Sequence, residues 1–276
     1  MMKHSNRHWL KGISVAFFLM FASYQTYAES ALIAVATNFT PTMKSIVDAF
    51  HQDTKHNLRV SFAASGKLYA QIKNGAPFDL FMSADQAIPK RLIEEGNALE
   101  GSQVTYAEGK LVLWSLKEEL IDNQGDILFS ARFNKLALAN PKLAPYGLAA
   151  TEVLDHLNLT QDTYSRWVQG ENIGQAYQFV RSGNADIGFI ALSQIQFNQH
   201  TLEGSYWHVP ESLYTPIKQD LVVLNKGEHN QAINDFLQYL ASPKIQTLIQ
   251  GYGYNTEQNL TLFNSFDGIL NDVNAN

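Results

Sequence analysis

Four short segments carry the residue types from which an anion site is made. Thr37-Asn38, Ser65-Gly66, Pro145-Tyr146-Gly147 and Glu171-Asn172-Ile173 each place hydroxyl, amide or turn residues where a strand pattern gives way to a helix pattern. The first residues of a helix have backbone N–H groups without intrahelical partners and sit at the positive end of the helix dipole. A helix start is therefore a ready anion-binding element. In α/β sheets, ligands collect beyond the carboxyl ends of the strands, where such turns lie. Two outcomes are open at this level. Four turns facing one cleft would ring a small anion with neutral donors, whereas four turns that each cap only their own helix would bind nothing.

Other chemistry is weakly supported. Ser65 and Lys67 could form a nucleophile and base, but no third group orients them in the sequence, and a turn serine beside a solvent-facing lysine accounts for the same pattern. His51 and His56 are five apart, a spacing that does not align two metal ligands on one helix face. Glu94-Glu95 and Glu118-Glu119 read as solvated surface. The chain has no G-x-G-x-x-G, P-loop, H-E-x-x-H or G-x-S-x-G. With no cysteine, it has no disulfide, thiol nucleophile or cysteine-ligated metal.

The elements that must position these turns follow an α/β grammar. Apolar runs predict strands at Ala31–Ala36, Leu58–Ala64, Asp79–Ser83, Lys110–Ser115, Leu136–Ala139, Asp186–Ala191 and Gln219–Leu224. Met43, Ile46, Val47 and Phe50 fall on one helix face, behind Pro41 in a first helical turn. Further helices are predicted at Lys67–Asn74, at Ala87–Glu95 with an early interruption by Pro89, and at Leu148–Leu157 and Asn172–Ser182. A terminal pair is predicted at Ala232–Leu240 and Pro243–Gln250, with Ser242 as cap. Alternating strands and helices predict largely parallel sheets. Polar or turn residues near Val104–Gly109 and Tyr214–Gln219 mark two crossings, so one lobe would be built from both chain ends and a second from the middle. The tail from Thr256 is polar and irregular and predicts no element.

The first 28 residues have the grammar of a secretory signal peptide: Lys3, Arg7 and Lys11 without an acidic residue, an apolar run from Ile13 to Ala22, and Thr26-Tyr27-Ala28 before the expected cut. The apolar run is too short for a spanning helix, which needs about 20 residues. Removing this segment with its three basic residues takes the net charge from −6 to −9. An acidic chain is a poor partner for nucleic acid. A hydrophobic fraction of 45% with 17% charged residues describes a globular chain, not a disordered one. Without a cysteine to acylate, an exported bacterial chain needs an outer membrane to retain it. A free periplasmic protein is the expected location.

Ala34–Thr40 (AVATNFT), Ser61–Leu68 (SFAASGKL), Gly75–Asp85 (GAPFDLFMSAD), Ala139–Gly147 (ANPKLAPYG) and Asp186–Ile190 (DIGFI) resemble, in order and spacing, the periplasmic molybdate-binding proteins. These are the substrate-binding components of ABC-type molybdate importers. The resemblance runs from about residue 31 to 254, and its most specific piece is the G-A-P-x-D-L-F-x-S-A-D segment. It implies a type II solute-binding fold of two lobes, each a mixed, mostly parallel sheet flanked by helices, with two crossing strands as hinge. The lobes would comprise residues 29–107 with 219–276, and 108–218.

The resemblance also implies the ligand set. Thr37, Asn38 and Ser65 from the first lobe, Tyr146 and the backbone N–H of Ile173 from the second, would hold a tetrahedral oxyanion without a lysine or arginine. Many relatives carry serine at the position of Asn38 and tyrosine at that of Ala191. This chain resembles a subgroup with Thr-Asn in the first turn, in which Tyr146 would supply the hydroxyl missing at Ala191. The resemblance thus implies a monomeric binding protein and not an enzyme, with no resident cofactor. Molybdenum would be present only as the molybdate oxyanion, tungstate would bind as well, and delivery would be to an inner-membrane permease. The alternatives are the same fold binding sulfate or another small anion, and a secreted hydrolase using Ser65 and Lys67.

Overall fold

The computed structural model describes residues 28–256 apart from 131, 199, 202 and 203. The leader, up to residue 27, and the tail beyond Thr256 lie outside the described residues. The chain opens with β1 (Ser30–Ala36), α1 (Thr40–Asp53), β2 (Asn57–Ala63), α2 (Ser65–Lys73), β3 (Leu80–Met82), α3 (Ala87–Glu94) and β4 (Val104–Gly109). It continues through β5 (Leu111–Ser115), β6 (Leu136–Ala139), α4 (Pro145–His156), α5 (Thr160–Tyr164), β7 (Trp167–Gly170), α6 (Ile173–Arg181) and β8 (Ile187–Ala191). A small hairpin, β9 (Gln196–Phe197) with β10 (His200–Thr201), and β11 (Ser205–His208) follow. The chain then returns as β12 (Ile217–Val223) and ends in α7 (Gln231–Ala241) and α8 (Pro243–Gly251).

Two five-stranded sheets result, ordered β2-β1-β3-β12-β4 and β11-β5-β8-β6-β7. Each is the centre of one lobe. The first sheet separates two apolar layers because successive side chains of β1 alternate: Ile33 and Val35 pack with Met43, Ile46, Phe50 and Phe236, while Ala34 packs with Leu68, Phe81 and Leu92. The second sheet gathers Val112, Trp114, Leu138, Val153 and Phe189.

Both sheets are mixed. β1 runs parallel to β2 and β3, and β6 runs parallel to β7 and β8. By contrast β12 is antiparallel to β3 and β4, and β5 is antiparallel to β8 and β11. Parallel strands need a crossover connection, usually a helix. The strands that carry the chain between sheets have no such helix and pair the other way. Alternation alone therefore overstates the parallel share.

Several boundaries shift in ways that matter to the site. The first crossing is tighter than its sequence suggests, since Val104–Gly109 is itself a strand and Lys110 alone separates it from β5. α2 starts at Ser65 and α4 at Pro145, earlier than the periodic residues indicate, so Ser65 and Tyr146 lie in first helical turns. α3 runs through Pro89 unbroken, because proline in a first turn removes an N–H that has no helical acceptor. α5, β7 and β11 are too short or too polar to show a period.

Candidate functional site

Four chain segments bring helix starts to one place between the sheets. β1 ends at Ala36, and Thr37–Phe39 form a single 3-10 turn leading into α1. β2 ends at Ala63, and α2 begins two residues later at Ser65. From the other sheet, α4 begins at Pro145 after β6, and α6 begins at Ile173 after β7. The cavity they enclose has a volume of about 10 Å³ and is lined by Ala36, Thr37, Asn38, Ala64, Ser65, Ala84, Ala144, Pro145, Tyr146 and Ile173. All five residues singled out from the sequence line it. Cavities for drug-sized organic ligands run from about 300 to 1,000 Å³, so this one excludes them.

The caps explain what faces the cavity. The residue before each helix start normally supplies an oxygen to the orphan N–H groups. Here the cap positions of the Thr37 turn, α2 and α4 are Ala36, Ala64 and Ala144, none of which can. Only α6 is capped by its own side chain, with Asn172 Oδ1 accepting from Gln175 N at 3.1 Å. These turns do more than finish their own helices. Three of them leave first-turn donors without a side-chain acceptor.

The side chains divide into two groups. Ser65 is fully buried, and its Oγ accepts from Ala84 N at 3.0 Å, which leaves its hydroxyl hydrogen to be donated elsewhere. The Thr37 hydroxyl has no protein partner among the described residues, while the Thr37 carbonyl accepts from Thr40 Oγ1 at 2.8 Å. Asn38 differs: its Nδ2 donates to Gln219 Oε1 at 2.8 Å and to Tyr254 Oη at 3.1 Å. The Asn38 amide is thus committed beneath the cavity, and its main chain at the helix start is what remains to face an anion. Tyr146 is 1% exposed, and Gln219 Nε2 lies 3.4 Å from its hydroxyl. Burial pushes the Tyr146 and Tyr106 hydroxyls well above the ordinary phenol value, so both are neutral donors at physiological pH.

No lysine or arginine lines the cavity. Lys67 stands at its rim, where its ammonium pairs with Glu171 across the gap between α2 and the start of α6. Ser65 is paired with Ala84 N instead. The geometry gives Lys67 a carboxylate partner and does not assemble a Ser–Lys dyad. Among the described residues, no group of three His, Asp or Glu is placed to hold a metal ion.

Sequence reasoning missed the layer under the cavity. Gln219, Tyr106, Ser193 and Tyr254 are buried there and bonded to Asn38 or to one another. The one available signal was the polar Lys218-Gln219-Asp220 run at the start of an otherwise apolar strand, IKQDLVV.

Comparison with known proteins gives a consistent set of relatives. The family model for bacterial extracellular solute-binding proteins matches residues 31–255. The molybdate-binding protein ModA of Azotobacter vinelandii is 48% identical over 230 residues, 83% of this chain and 91% of that protein. Molybdate-binding protein ModA of Rhodobacter capsulatus is 44% identical over 230 residues, 83% of this chain and 90% of its own. Among solved structures, the Azotobacter vinelandii periplasmic molybdate-binding protein superposes with a TM-score of 0.79 at 40% identity, covering 82% of this chain and 98% of that one.

Proposed function

The chain belongs to the bacterial extracellular solute-binding proteins, in the group that binds molybdate, and from that premise we propose that its interlobe cavity captures molybdate for delivery to an inner-membrane ABC permease. The observation that carries this reading is the convergence of four helix starts, three with alanine at the cap, on one small cavity without a lysine or arginine.

The chemistry is that of a dianion held by neutral donors. The ligands are Thr37 and Ser65 through hydroxyls, Asn38 and Ile173 through backbone N–H groups, and Tyr146 through its phenol. Hydrogen bonds to a charged acceptor are about twice as strong as neutral ones. Spreading the charge over several such bonds avoids burying a lysine or arginine, whose own desolvation would have to be offset. The ion also stays releasable, because no fixed counter-charge holds it. Tungstate, nearly the same size, binds in the same way, and discrimination against the smaller sulfate comes from the size to which the lobes close on the ion. Molybdenum is cargo here, and no resident cofactor is required.

Among the described residues the two lobes comprise 29–107 with 219–256, and 108–218, and they close on the ion as a monomer. The reading extends to export and cleavage near Ala28. In support, Ala28 is exposed, whereas Glu29 is tied to the folded body through its N–H to His56 Nδ1 at 3.2 Å and its carboxylate, which accepts from Gln231 N at 2.8 Å.

Ligand that binds only the folded state stabilises it by mass action, about 2.7 kcal/mol at a hundredfold excess over Kd. For a chain of this length that raises Tm by roughly 5–10 °C. Thermal unfolding of the mature chain with and without molybdate reads this directly. An unchanged Tm at millimolar molybdate would remove the reading.

A further inference from the structure

Gln219 is fully buried on β12, where the ladder with β4 shifts register. Its Oε1 accepts from Asn38 Nδ2 at 2.8 Å, and its Nε2 donates to Tyr146 Oη at 3.4 Å; Tyr106 Oη lies 3.1 Å from the same Oε1 and 3.0 Å from the Ser83 carbonyl, with one hydrogen to give between them. A closed circuit lies beside it. Asn38 Nδ2 donates to Tyr254 Oη at 3.1 Å, Tyr254 Oη donates to Ser193 Oγ at 2.8 Å, and Ser193 Oγ donates to the Asn38 carbonyl at 2.9 Å.

Counting hydrogens gives this network a direction. Each hydroxyl has one hydrogen to give, and an amide NH2 has two. Ser193 and Tyr254 use theirs inside the circuit, and Asn38 sends its second amide hydrogen to Gln219. With the Gln219 oxygen turned to Asn38, its NH2 is the end that faces Tyr146. Tyr146 therefore accepts from Gln219, and its own hydrogen is free for an acceptor in the cavity that its ring lines.

We infer that Gln219 is a positioning residue, which by donating to Tyr146 Oη aims the tyrosine hydroxyl hydrogen at the bound oxyanion. The inference rests on the anion reading of the cavity. It also ties aim to closure, because Asn38 belongs to the first lobe, Tyr146 opens α4 in the second, and Gln219 stands on the strand that returns from one sheet to the other. Gly109 on β4 makes room for the contact: a Cβ there would collide with Tyr146 Oη and lie 2.6 Å from Gln219 Nε2.

A buried glutamine that only satisfies its neighbours would affect stability and leave the tyrosine's contribution to binding unchanged. A double-mutant cycle separates the two roles. Molybdate is titrated calorimetrically into the mature wild-type chain, Tyr146→Phe, Gln219→Met and the double variant, with Tm recorded for each. Tyr146→Phe is expected to weaken binding about tenfold in the wild-type background and less than about twofold in Gln219→Met, since a hydrogen already misdirected cannot be lost again. Equal weakening in both backgrounds, or wild-type affinity in Gln219→Met, overturns the inference. If Gln219→Met does not fold, Gln219→Glu takes its place: its carboxylate accepts from Tyr146 and captures the hydrogen, so Tyr146→Phe should again have less than about a twofold effect, and a tenfold effect overturns the inference. A wild-type chain that binds no molybdate removes the anion reading itself. A binding wild type with independent variants removes only the role of Gln219.

Discussion

Ala36, Ala64 and Ala144 occupy cap positions where Ser, Thr, Asp or Asn would add roughly 1 kcal/mol of helix stability each. An oxygen there would fill the N–H groups that face the cavity. Ala144→Ser is therefore expected to leave Tm unchanged or raised and to weaken molybdate binding about tenfold, as read by melting and titration on the same samples. Lost stability with normal binding would contradict the role given to the bare caps. Ser65→Ala behaves differently. It removes a donor to the ion and also strips Ala84 N–H of its acceptor, so affinity and Tm should both fall, each by about 1–3 kcal/mol. At this scale the sequence was informative where a residue and its role are neighbours. The turns that hold Thr37, Ser65, Tyr146 and Ile173 stood out because strand ends and helix starts have local signatures, while the choice of residue within each turn came from the resemblance. Gln219 did not, because its meaning depends on Asn38, 181 residues away. Nor could the sequence say that the Asn38 side chain turns away from the cavity.

The helices that present the donors are held by contacts remote from them. α2, which begins with Ser65, is clamped to the end of α3 by Glu95, which accepts from Arg91 Nε at 2.8 Å and from Tyr69 Oη at 2.9 and 3.0 Å, with Lys73 Nζ at 3.1 Å. Arg91 first, then Lys73, hold the Glu95 carboxyl at about 2 instead of its usual 4.5. A lowered folded-state value stabilises the fold above the unfolded value and loses that contribution as pH falls through the folded one. Tm should therefore decline less between pH 4.5 and 2 in Glu95→Gln than in the wild type, and parallel Tm–pH curves would contradict the clamp. Element prediction worked where periodicity was long: the buried face of α1 carries Met43, Ile46 and Phe50 as its spacing requires. It failed at β4, whose mixture of polar and small residues with Val104 and Tyr106 read as a crossing between lobes. It also misplaced the starts of α2 and α4, because Ser65, Gly66 and Pro145 look like turn residues whether or not a helix has begun.

The two lobes meet through contacts around the cavity rim as well as beneath it. Gly66 N donates to Leu143 O at 2.9 Å, and Lys67 faces Glu171 with both side chains partly exposed. Exposed ion pairs contribute little, typically below about 1 kcal/mol, and less at high salt. Lys67→Ala is thus expected to weaken molybdate binding by no more than about fivefold, with the difference shrinking as salt is raised. A loss of binding in that variant would instead make Lys67 a ligand and contradict a site of neutral donors. The central claim is that a cavity of uncharged donors selects one size of tetrahedral dianion. Its most direct test is calorimetric titration of the mature chain with molybdate, tungstate and sulfate in turn. Tight binding of molybdate and tungstate, with weak or no heat from sulfate, is the expected result. Sulfate binding as tightly as molybdate, or no heat from any of the three, would contradict it.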